Sequence, residues 1–260
     1  MLILALESSA KPASAAVCSD GALLGQYFQN NGLTHSRTLL AMAESLLENL
    51  GISITDIDTI AVSKGPGSFT GVRIGVSAAK GLAWGLGKPV CGVSTLEAMA
   101  YQTQEENALI CPVMDARRDQ VYNALFTWGD GKLTRLRDDR AIALDDLASE
   151  FGGTTITPNP AEVILQTPAP PAKQQPVSPR LRLPDFPVLL VGDGAAMSRA
   201  HLSAAGIPCR LAPGLLRFQT AYGVALAAMD NPQITAEELE PGYLRPSQAE
   251  REYCGKTMGY

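Results

Sequence analysis

Histidine and the short motifs that usually mark metal or nucleotide sites are scarce in this 260-residue sequence. The two histidines, His35 and His201, lie far apart, and neither has a His or Cys partner three to five residues on. A metal site of the HExxH type is therefore excluded. A GxSxG elbow and a GxxxxGK[ST] phosphate loop are also absent. These absences exclude a hydrolase elbow and a P-loop, while a Ser–His–Asp triad assembled in space stays open.

Positive charge is in short supply as well. The chain has 21 Lys and Arg against 26 Asp and Glu, which gives a net charge of -5. Proteins bind nucleic acid mainly through basic contacts to phosphate. Direct, high-affinity binding of nucleic acid by this chain alone is therefore not expected, although a local basic patch stays open.

Paired cysteines and long apolar runs are missing too. The five cysteines form no CxxC pair, so a disulfide framework or a zinc site is not expected and a reducing compartment is favoured. The opening stretch MLILALESS has only five apolar residues after Met1 before Glu7 interrupts it, which is too short for a signal peptide or a membrane span. The composition predicts a soluble, cytoplasmic protein with no membrane association.

Against this background, one pattern occurs twice. LILALESSAKPASAAVCSDGALLG is echoed by ALICPVMDARRDQVYNALFTWGDGKLTRL. Each reads as an apolar strand, an acid (Glu7 or Asp115), a polar turn, a second strand, an Asp-Gly hairpin and a third strand. The near-constant offset of the copies predicts two similar lobes, residues 1–104 and 105–260. Half of the eighteen prolines fall within 158–187, so this stretch is expected to be a surface insertion in a reduced second lobe.

The most unusual segment is AVSKGPGSFTGVRIGVSAAKGLAWG, residues 61–85. It departs from the dinucleotide fingerprint GxGxxG because Thr70 takes the place of the third glycine. An anion bound at the helix start stays open. The favoured interpretation is a tight turn with Thr70 capping the helix, after which Gly71, Gly75 and the alanines allow another backbone to come close.

Glu7 and Asp115 are the candidate catalytic acids. In two-lobed phosphotransferases such acids face the cleft and hold a metal or activate water. The alternative is a solvated acid at a strand end, with Arg117 or Arg118 pairing with Asp115 or Asp119. The residues alone leave both interpretations open.

Three segments carry a family resemblance. GPGSFTGVRIG at 65–75, MDARRDQVY at 114–122 and LEPGYLRP at 239–246 resemble the signature segments of the bacterial TsaB family, also called YeaZ. The resemblance extends from Leu2 to Arg245, and only the proline-rich stretch 158–187 stands out as an insertion. It implies an α/β fold of the actin-like ATPase (ASKHA) type, with two similar βββαβα lobes of which the second is smaller.

The resemblance also implies a function in tRNA processing. TsaB-like proteins take part in forming N6-threonylcarbamoyladenosine at position 37 of tRNAs that read codons beginning with A. They are non-catalytic partners of TsaD, which transfers the threonylcarbamoyl group, and TsaE joins the complex. This chain is accordingly expected to be a scaffold and activator that binds TsaD, forms a homodimer when alone and meets tRNA only indirectly.

The resemblance also indicates which residues form a partner surface. In the family, the helix after the first hairpin and the helix after the glycine-rich loop pair with the same helices of TsaD or of a second TsaB. The residues implied for the partner surface are Leu39, Met42, Leu46, Gly71, Val72, Gly75, Ala78, Ala79 and Leu82. The residues of the loop itself are Gly65, Pro66, Gly67, Ser68, Phe69, Thr70 and Arg73.

Departures from active relatives point to a lost catalytic site. TsaD carries two metal-binding histidines four residues apart. In this chain the residue four positions after His35 is Leu39, so the second histidine of the pair is missing. VGDGA at 191–195 resembles a degenerate form of the glycine turn that contacts adenosine in active relatives. The vestigial cleft is predicted to comprise Glu7, Asp115, Arg117, Gly192 and Gly194, with no catalytic residue, metal or cofactor. The alternatives are an actin-like ATP-dependent enzyme or glycopeptidase that uses Glu7 and Asp115, and a homodimeric binding module unrelated to tRNA.

Overall fold

The first lobe is a five-stranded mixed sheet with two helices on its outer face. The computed structural model describes residues 1–152 and 187–245 of the chain. The sheet has the order β3-β2-β1-β4-β5, in which β1, β2 and β3 are antiparallel and β4 and β5 run parallel to β1. Its elements are β1 (Leu2–Glu7), β2 (Ala13–Ser19), β3 (Ala22–Gln29), α1 (His35–Leu50), β4 (Thr59–Gly65), α2 (Phe69–Leu86), β5 (Val90–Ser94) and α3 (Thr95–Tyr101).

The second lobe repeats this topology. Its sheet has the order β8-β7-β6-β9-β10 when read in the same direction. Its elements are β6 (Leu109–Asp115), β7 (Gln120–Gly129), β8 (Lys132–Ala143), α4 (Leu144–Gly152), β9 (Val188–Val191), α5 (Ala195–Ala204), β10 (Cys209–Leu211) and α6 (Ala221–Ala228). With four and three residues, β9 and β10 are shorter than β4 and β5, which have seven and five. By contrast, β7 and β8, with ten and twelve residues, are longer than β2 and β3, with seven and eight. The predicted duplication is confirmed, and the smaller second lobe stays a prediction.

Each lobe has its hairpin where the Asp-Gly pair predicts one. Asp20 and Gly21 have φ angles of 47° and 82°, and Asp130 and Gly131 have 52° and 71°. Two consecutive positive φ angles are typical of a type I′ turn, whose twist matches that of the flanking strands. The hairpins β2–β3 and β7–β8 are therefore specified locally by these dipeptides.

The helix ends confirm one prediction and correct another. Gly51 ends α1 in the left-handed conformation, with φ of 65°, as its position after the leucine-rich stretch predicts. The prediction that Thr70 caps α2 is wrong. Ser68 has the extended backbone of a cap, and its hydroxyl accepts the Gly71 N–H over 3.4 Å, which places Thr70 inside the first turn.

Three apolar clusters hold the layers together. One packs α1 and α2 on the outer face of the first sheet, and another packs α4 and α5 on the outer face of the second. The third fills the space between the two sheets and contains α3 and α6. The predicted boundary near residues 104–107 separates the sheets, but α6 and the segment after it return to pack against the first sheet.

Two further sequence expectations concern the insertion and the membrane. The proline-rich insertion predicted at 158–187 lies outside the described residues, except for Pro187. Within residues 1–152 and 187–245, no helix combines the length and apolar character that crossing a membrane requires.

Candidate functional site: the cleft between the lobes and the outer face of α1 and α2

A cleft of about 630 Å³ lies beside the turns that follow β1 and β6, one from each lobe. Its walls come from the β1–β2 turn, the start of α2, the end of β6 and the segment near residue 243. Lys11, Arg117 and Arg245 bring positive charge to this lining, and Asp115 and Asp193 bring negative charge. The cleft therefore has mixed charge in a chain whose net charge is negative.

Glu7 lies beneath the cleft rather than in it. Its side chain is fully buried, and its Oε1 accepts the Ser9 N–H over 2.6 Å. Burial raises the pKa of the Glu7 carboxyl, and the hydrogen bond from the Ser9 N–H offsets part of that rise. The prediction that Glu7 faces the cleft is therefore corrected, since β1 directs this side chain inward.

Asp115 does line the cleft. It is exposed at the end of β6, and its Oδ1 accepts the Arg117 N–H over 2.7 Å. Arg117, Arg118 and Asp119 follow with φ angles of 62°, 57° and 55°. Three successive left-handed residues without glycine are uncommon and turn the arginines outward at the cleft edge.

The two candidate acids thus differ in exposure. Asp115 lines the cleft, whereas Glu7 is fully buried and does not belong to the cleft lining. Within residues 1–152 and 187–245, no three His, Cys, Asp or Glu side chains cluster closely enough to hold a metal ion. His35 Nε2 donates to the Ala10 carbonyl oxygen over 2.8 Å, and His35 stands in the first turn of α1 where the sequence places it.

The Gly192–Gly194 turn packs on the end of β6. Gly192 has φ of 111°, and a Cβ there would lie 2.1 Å from the Val113 carbonyl oxygen. The Gly194 N–H donates to the same oxygen over 3.2 Å. Asp193, between the glycines, lines the cleft and accepts from Gln219 Nε2 over 3.2 Å. Contact with the chain's own strand therefore requires glycine at position 192.

The glycine-rich loop likewise approaches the chain's own backbone. A Cβ on Gly67 would lie 2.3 Å from the Ser9 carbonyl oxygen, and one on Gly71 would lie 2.1 Å from the Ser8 carbonyl oxygen. A Cβ on Gly75 would lie 2.5 Å from Ser8 Oγ. The close approach predicted at these glycines is therefore real, but its partner is the turn after β1 and not a second protein.

The predicted partner residues mostly face the chain's own sheet. Six are buried: Leu39, Leu46, Gly71, Val72, Gly75 and Ala79. Met42, Ala78 and Leu82 are half-buried. The buried six stabilise the lobe, so a partner that docks on these helices would meet other side chains first.

The outer face of α1 and α2 presents apolar residues that the sequence reasoning did not select. Leu40 on α1 is 46% exposed and Trp84 on α2 is 77% exposed. Ala41, beside Leu40, and Gly81, three residues before Trp84, are also exposed. The signal in the sequence was the apolar arc of α1, which is wider than one buried face requires. We call Leu40, Ala41, Gly81 and Trp84 the outer face.

A family profile and several individual relatives match this chain. A sequence profile of the family described as "TsaD: tRNA N6-adenosine threonylcarbamoyltransferase" matches residues 30–238. The TsaB protein of Bacillus subtilis is 38% identical over 146 residues, which is 56% of this chain and 64% of that protein. The TsaB protein of Escherichia coli is 34% identical over 152 residues, which is 58% of this chain and 65% of that protein. Each match spans a little under two thirds of the relative's length.

A solved structure shows the same fold. YeaZ from Pseudomonas aeruginosa superposes with a TM-score of 0.67 and 24% identity, over 94% of this chain and 99% of that one. The resemblance to TsaB predicted from the three signature segments is confirmed. The predicted α/β fold with two five-stranded sheets is confirmed as well.

Proposed function

This chain belongs to the family described as tRNA N6-adenosine threonylcarbamoyltransferase, TsaD, and we propose that it acts in N6-threonylcarbamoyladenosine biosynthesis as a non-catalytic scaffold and activator. The observation that carries the non-catalytic part is the burial of one of the two candidate acids. Asp115 lines the cleft, whereas Glu7 is fully buried with one oxygen held by the Ser9 N–H. A pair of carboxylates can share a metal or a reacting group only when both reach it.

The outer face of α1 and α2 supports a binding function. Trp84 is the most exposed of the large apolar side chains among the described residues, and it lines a hollow with Gly81, Ala236 and Glu237. Leu40 is a further exposed apolar residue, on α1. Aromatic residues of this kind commonly dominate the binding energy of an interface. The proposed partner is TsaD, with an interface that buries on the order of 1,600 Å² in total.

Three further features of the proposal come from the family resemblance. TsaE joins the complex, the free protein is a homodimer, and tRNA is met through the complex rather than through this chain. The net charge of -5 favours an indirect contact with tRNA. A cytoplasmic location is part of the same proposal.

The deciding experiment measures the modified nucleoside itself. In a strain depleted of this protein, mass spectrometry of tRNA nucleosides is expected to show loss of threonylcarbamoyladenosine. Restoring the full chain from a plasmid brings the nucleoside back. Unchanged threonylcarbamoyladenosine on depletion refutes the proposal and leaves a binding module unrelated to tRNA.

A second candidate is an actin-like ATP-dependent enzyme, which the open cleft favours. The cleft has room for a small ligand, and Lys11, Arg117 and Arg245 line it. Calorimetry of the purified protein with ATP and magnesium separates the candidates. A scaffold gives no heat of binding, whereas micromolar affinity that is lost in Arg117→Gln would favour the enzyme.

A further inference from the structure

The segment Ile234–Arg245, which we call the strap, runs from the edge of the first sheet to the second lobe. Ile234 pairs with Val90 at the edge of the first sheet, and each N–H donates to the other's carbonyl oxygen over 2.8–2.9 Å. The strap follows α6, so the chain leaves the second lobe, crosses the first and then comes back. The strap forms no regular helix or strand. Backbone hydrogen bonds and side-chain contacts hold it in place.

The middle of the strap is fixed to the first lobe. Leu239 is only 1% exposed and lies over Gly92, where a Cβ would be 2.6 Å from its Cδ1. Lys80 on α2 donates from Nζ to the Leu239 carbonyl oxygen over 2.9 Å, and the Gly242 N–H donates to the Lys64 carbonyl oxygen over 2.6 Å. These contacts hold the strap against β5, α2 and the end of β4.

The next residue secures the first turn of α2. The Tyr243 ring stacks on Phe69, with centroids 4.7 Å apart and planes 28° apart. Arg73 donates from Nε to the Tyr243 hydroxyl over 2.9 Å, and its guanidinium lies 3.9 Å from the centre of the Phe69 ring. Two aromatic rings and one guanidinium thus form a single stack on the exposed side of the helix start.

The end of the strap reaches the second lobe. Arg245 donates from Nη1 to the Ala116 carbonyl oxygen over 3.1 Å, and its guanidinium lies 5.9 Å from the centre of the Tyr122 ring. Ala116 belongs to the turn after β6, and Tyr122 belongs to β7. Tyr243 and Arg245 both line the cleft, so this tie between the lobes crosses it.

We propose that the strap is a brace that sets the width of the cleft and orders the first turn of α2. Elsewhere the lobes meet through the core cluster that contains α3 and α6, and through the contacts of Ser94 with Asp139 and of Glu97 with Arg135. None of these four polar residues lines the cleft, where the strap makes the tie. Because one segment holds both α2 and the turn after β6, a change at α2 is transmitted to the cleft. The inference rests on the proposed function only in naming α2 as part of the partner surface.

The test measures the distance between the lobes in the free protein, without any partner. Nitroxide labels replace Glu48 on α1 and Asp146 on α4, which are exposed helix positions in the two lobes, in a background with Cys209 and Cys254 changed to Ser. Arg245→Met removes the tie to Ala116 and keeps a long apolar stem. Leu244→Ala, at a neighbouring exposed residue of the strap, is the matched control.

The expected result is a shift of the Arg245→Met distance distribution to a longer mean and a greater width, with Leu244→Ala unchanged. Tyr243→Ala is expected to speed hydrogen exchange of the α2 amides near residues 72–76, whereas Tyr243→Phe keeps the stack and has a smaller effect. Distances in Arg245→Met that match the wild type overturn the proposal. Thermal unfolding of each variant shows that the measured molecule is folded. Since TsaD is not in the sample, failure here leaves the proposed function standing.

Discussion

The Ser68 N–H donates to the Ser9 carbonyl oxygen over 2.6 Å, which joins the glycine-rich loop to the turn after β1. Gly67 and Gly71 flank this bond and have no room for a Cβ. The hydrogen bond and the missing side chains together bring two turns of the same lobe into direct backbone contact. The loop therefore packs against the chain's own first lobe, and contact with the turn after β1 requires its glycines at positions 67 and 71.

Gly71→Ala tests this contact, with Gly81→Ala as the control on the same helix. A Cβ on Gly71 would meet the Ser8 carbonyl oxygen at 2.1 Å, so we expect a loss of about 1–3 kcal/mol in the free energy of unfolding. Nothing lies within 4 Å of a Cβ on Gly81, so its replacement is expected to stabilise by roughly 0.5–1 kcal/mol. Urea unfolding measures both. Equal effects in the two variants would contradict the packing role.

The elements of the fold could be predicted from local signals. Asp20-Gly21 and Asp130-Gly131 fix the hairpins, and Gly51 ends α1, because each of these dipeptides or caps acts within a few residues. Thr70 was the wrong cap because Ser68, two residues earlier, already has the extended backbone and the hydroxyl. A sequence does not show which of two neighbouring hydroxyls reaches the helix.

The site could be predicted only in part. Small residues in α2 signalled a close approach, but the sequence does not say which backbone approaches, and the Ser8–Ser9 turn is 58 or more residues away from Gly67. Glu7 was placed at the end of its strand, yet its side chain points inward, since strand ends fix position and not exposure. The contact of Arg245 with Ala116 joins residues 129 apart and has no local signal.

Thiol chemistry provides a test of the core. Burial raises the pKa of Cys91 to about 11 and the pKa values of Cys18 and Cys111 to about 12. Since the thiolate is the reactive form, these three cysteines are expected to resist maleimide in the native protein and to react after unfolding. Peptide mapping of the labelled protein identifies the sites. Rapid native labelling of Cys111 would show that the second lobe opens more readily than its packing indicates.

The outer face is tested by Trp84→Ala and Leu40→Ala. Both side chains are exposed, so the fold is expected to tolerate the changes while TsaD affinity falls, for Trp84 by about 2 kcal/mol or roughly 30-fold. Leu215→Ala, at an exposed leucine of the second lobe, is the control. Titration calorimetry with TsaD measures the affinities. Gly75→Leu is unsuitable for this purpose, because the new side chain would collide with Ser8 and Val62.

TsaD affinity that is unchanged in Trp84→Ala and Leu40→Ala, but reduced in Leu215→Ala, would move the interface to the second lobe. Loss of affinity in all three variants with a lowered melting temperature would indicate a general loss of structure. Only a loss confined to the first two, at wild-type stability, supports the outer face.

Glu7 is expected to make stability fall as pH rises. Burial raises the pKa of its carboxyl above the ordinary value of about 4.5, so the folded protein holds this proton at pH values where the unfolded chain has released it. The stability that Glu7 contributes is therefore fully present below about pH 4.5 and is lost as pH rises through the folded pKa. Glu7→Gln keeps the shape of the side chain and removes the titration.

We therefore expect Glu7→Gln to gain stability relative to the wild type as pH rises above about 4.5. Unfolding in urea across a pH series measures this difference, which cancels the titration of groups common to both proteins. Glu44→Gln, at an exposed position of α1, controls for the loss of one negative charge. A difference between Glu7→Gln and wild type that stays constant or shrinks with rising pH would mean that the pKa of Glu7 is not raised in the folded protein, and would contradict this prediction.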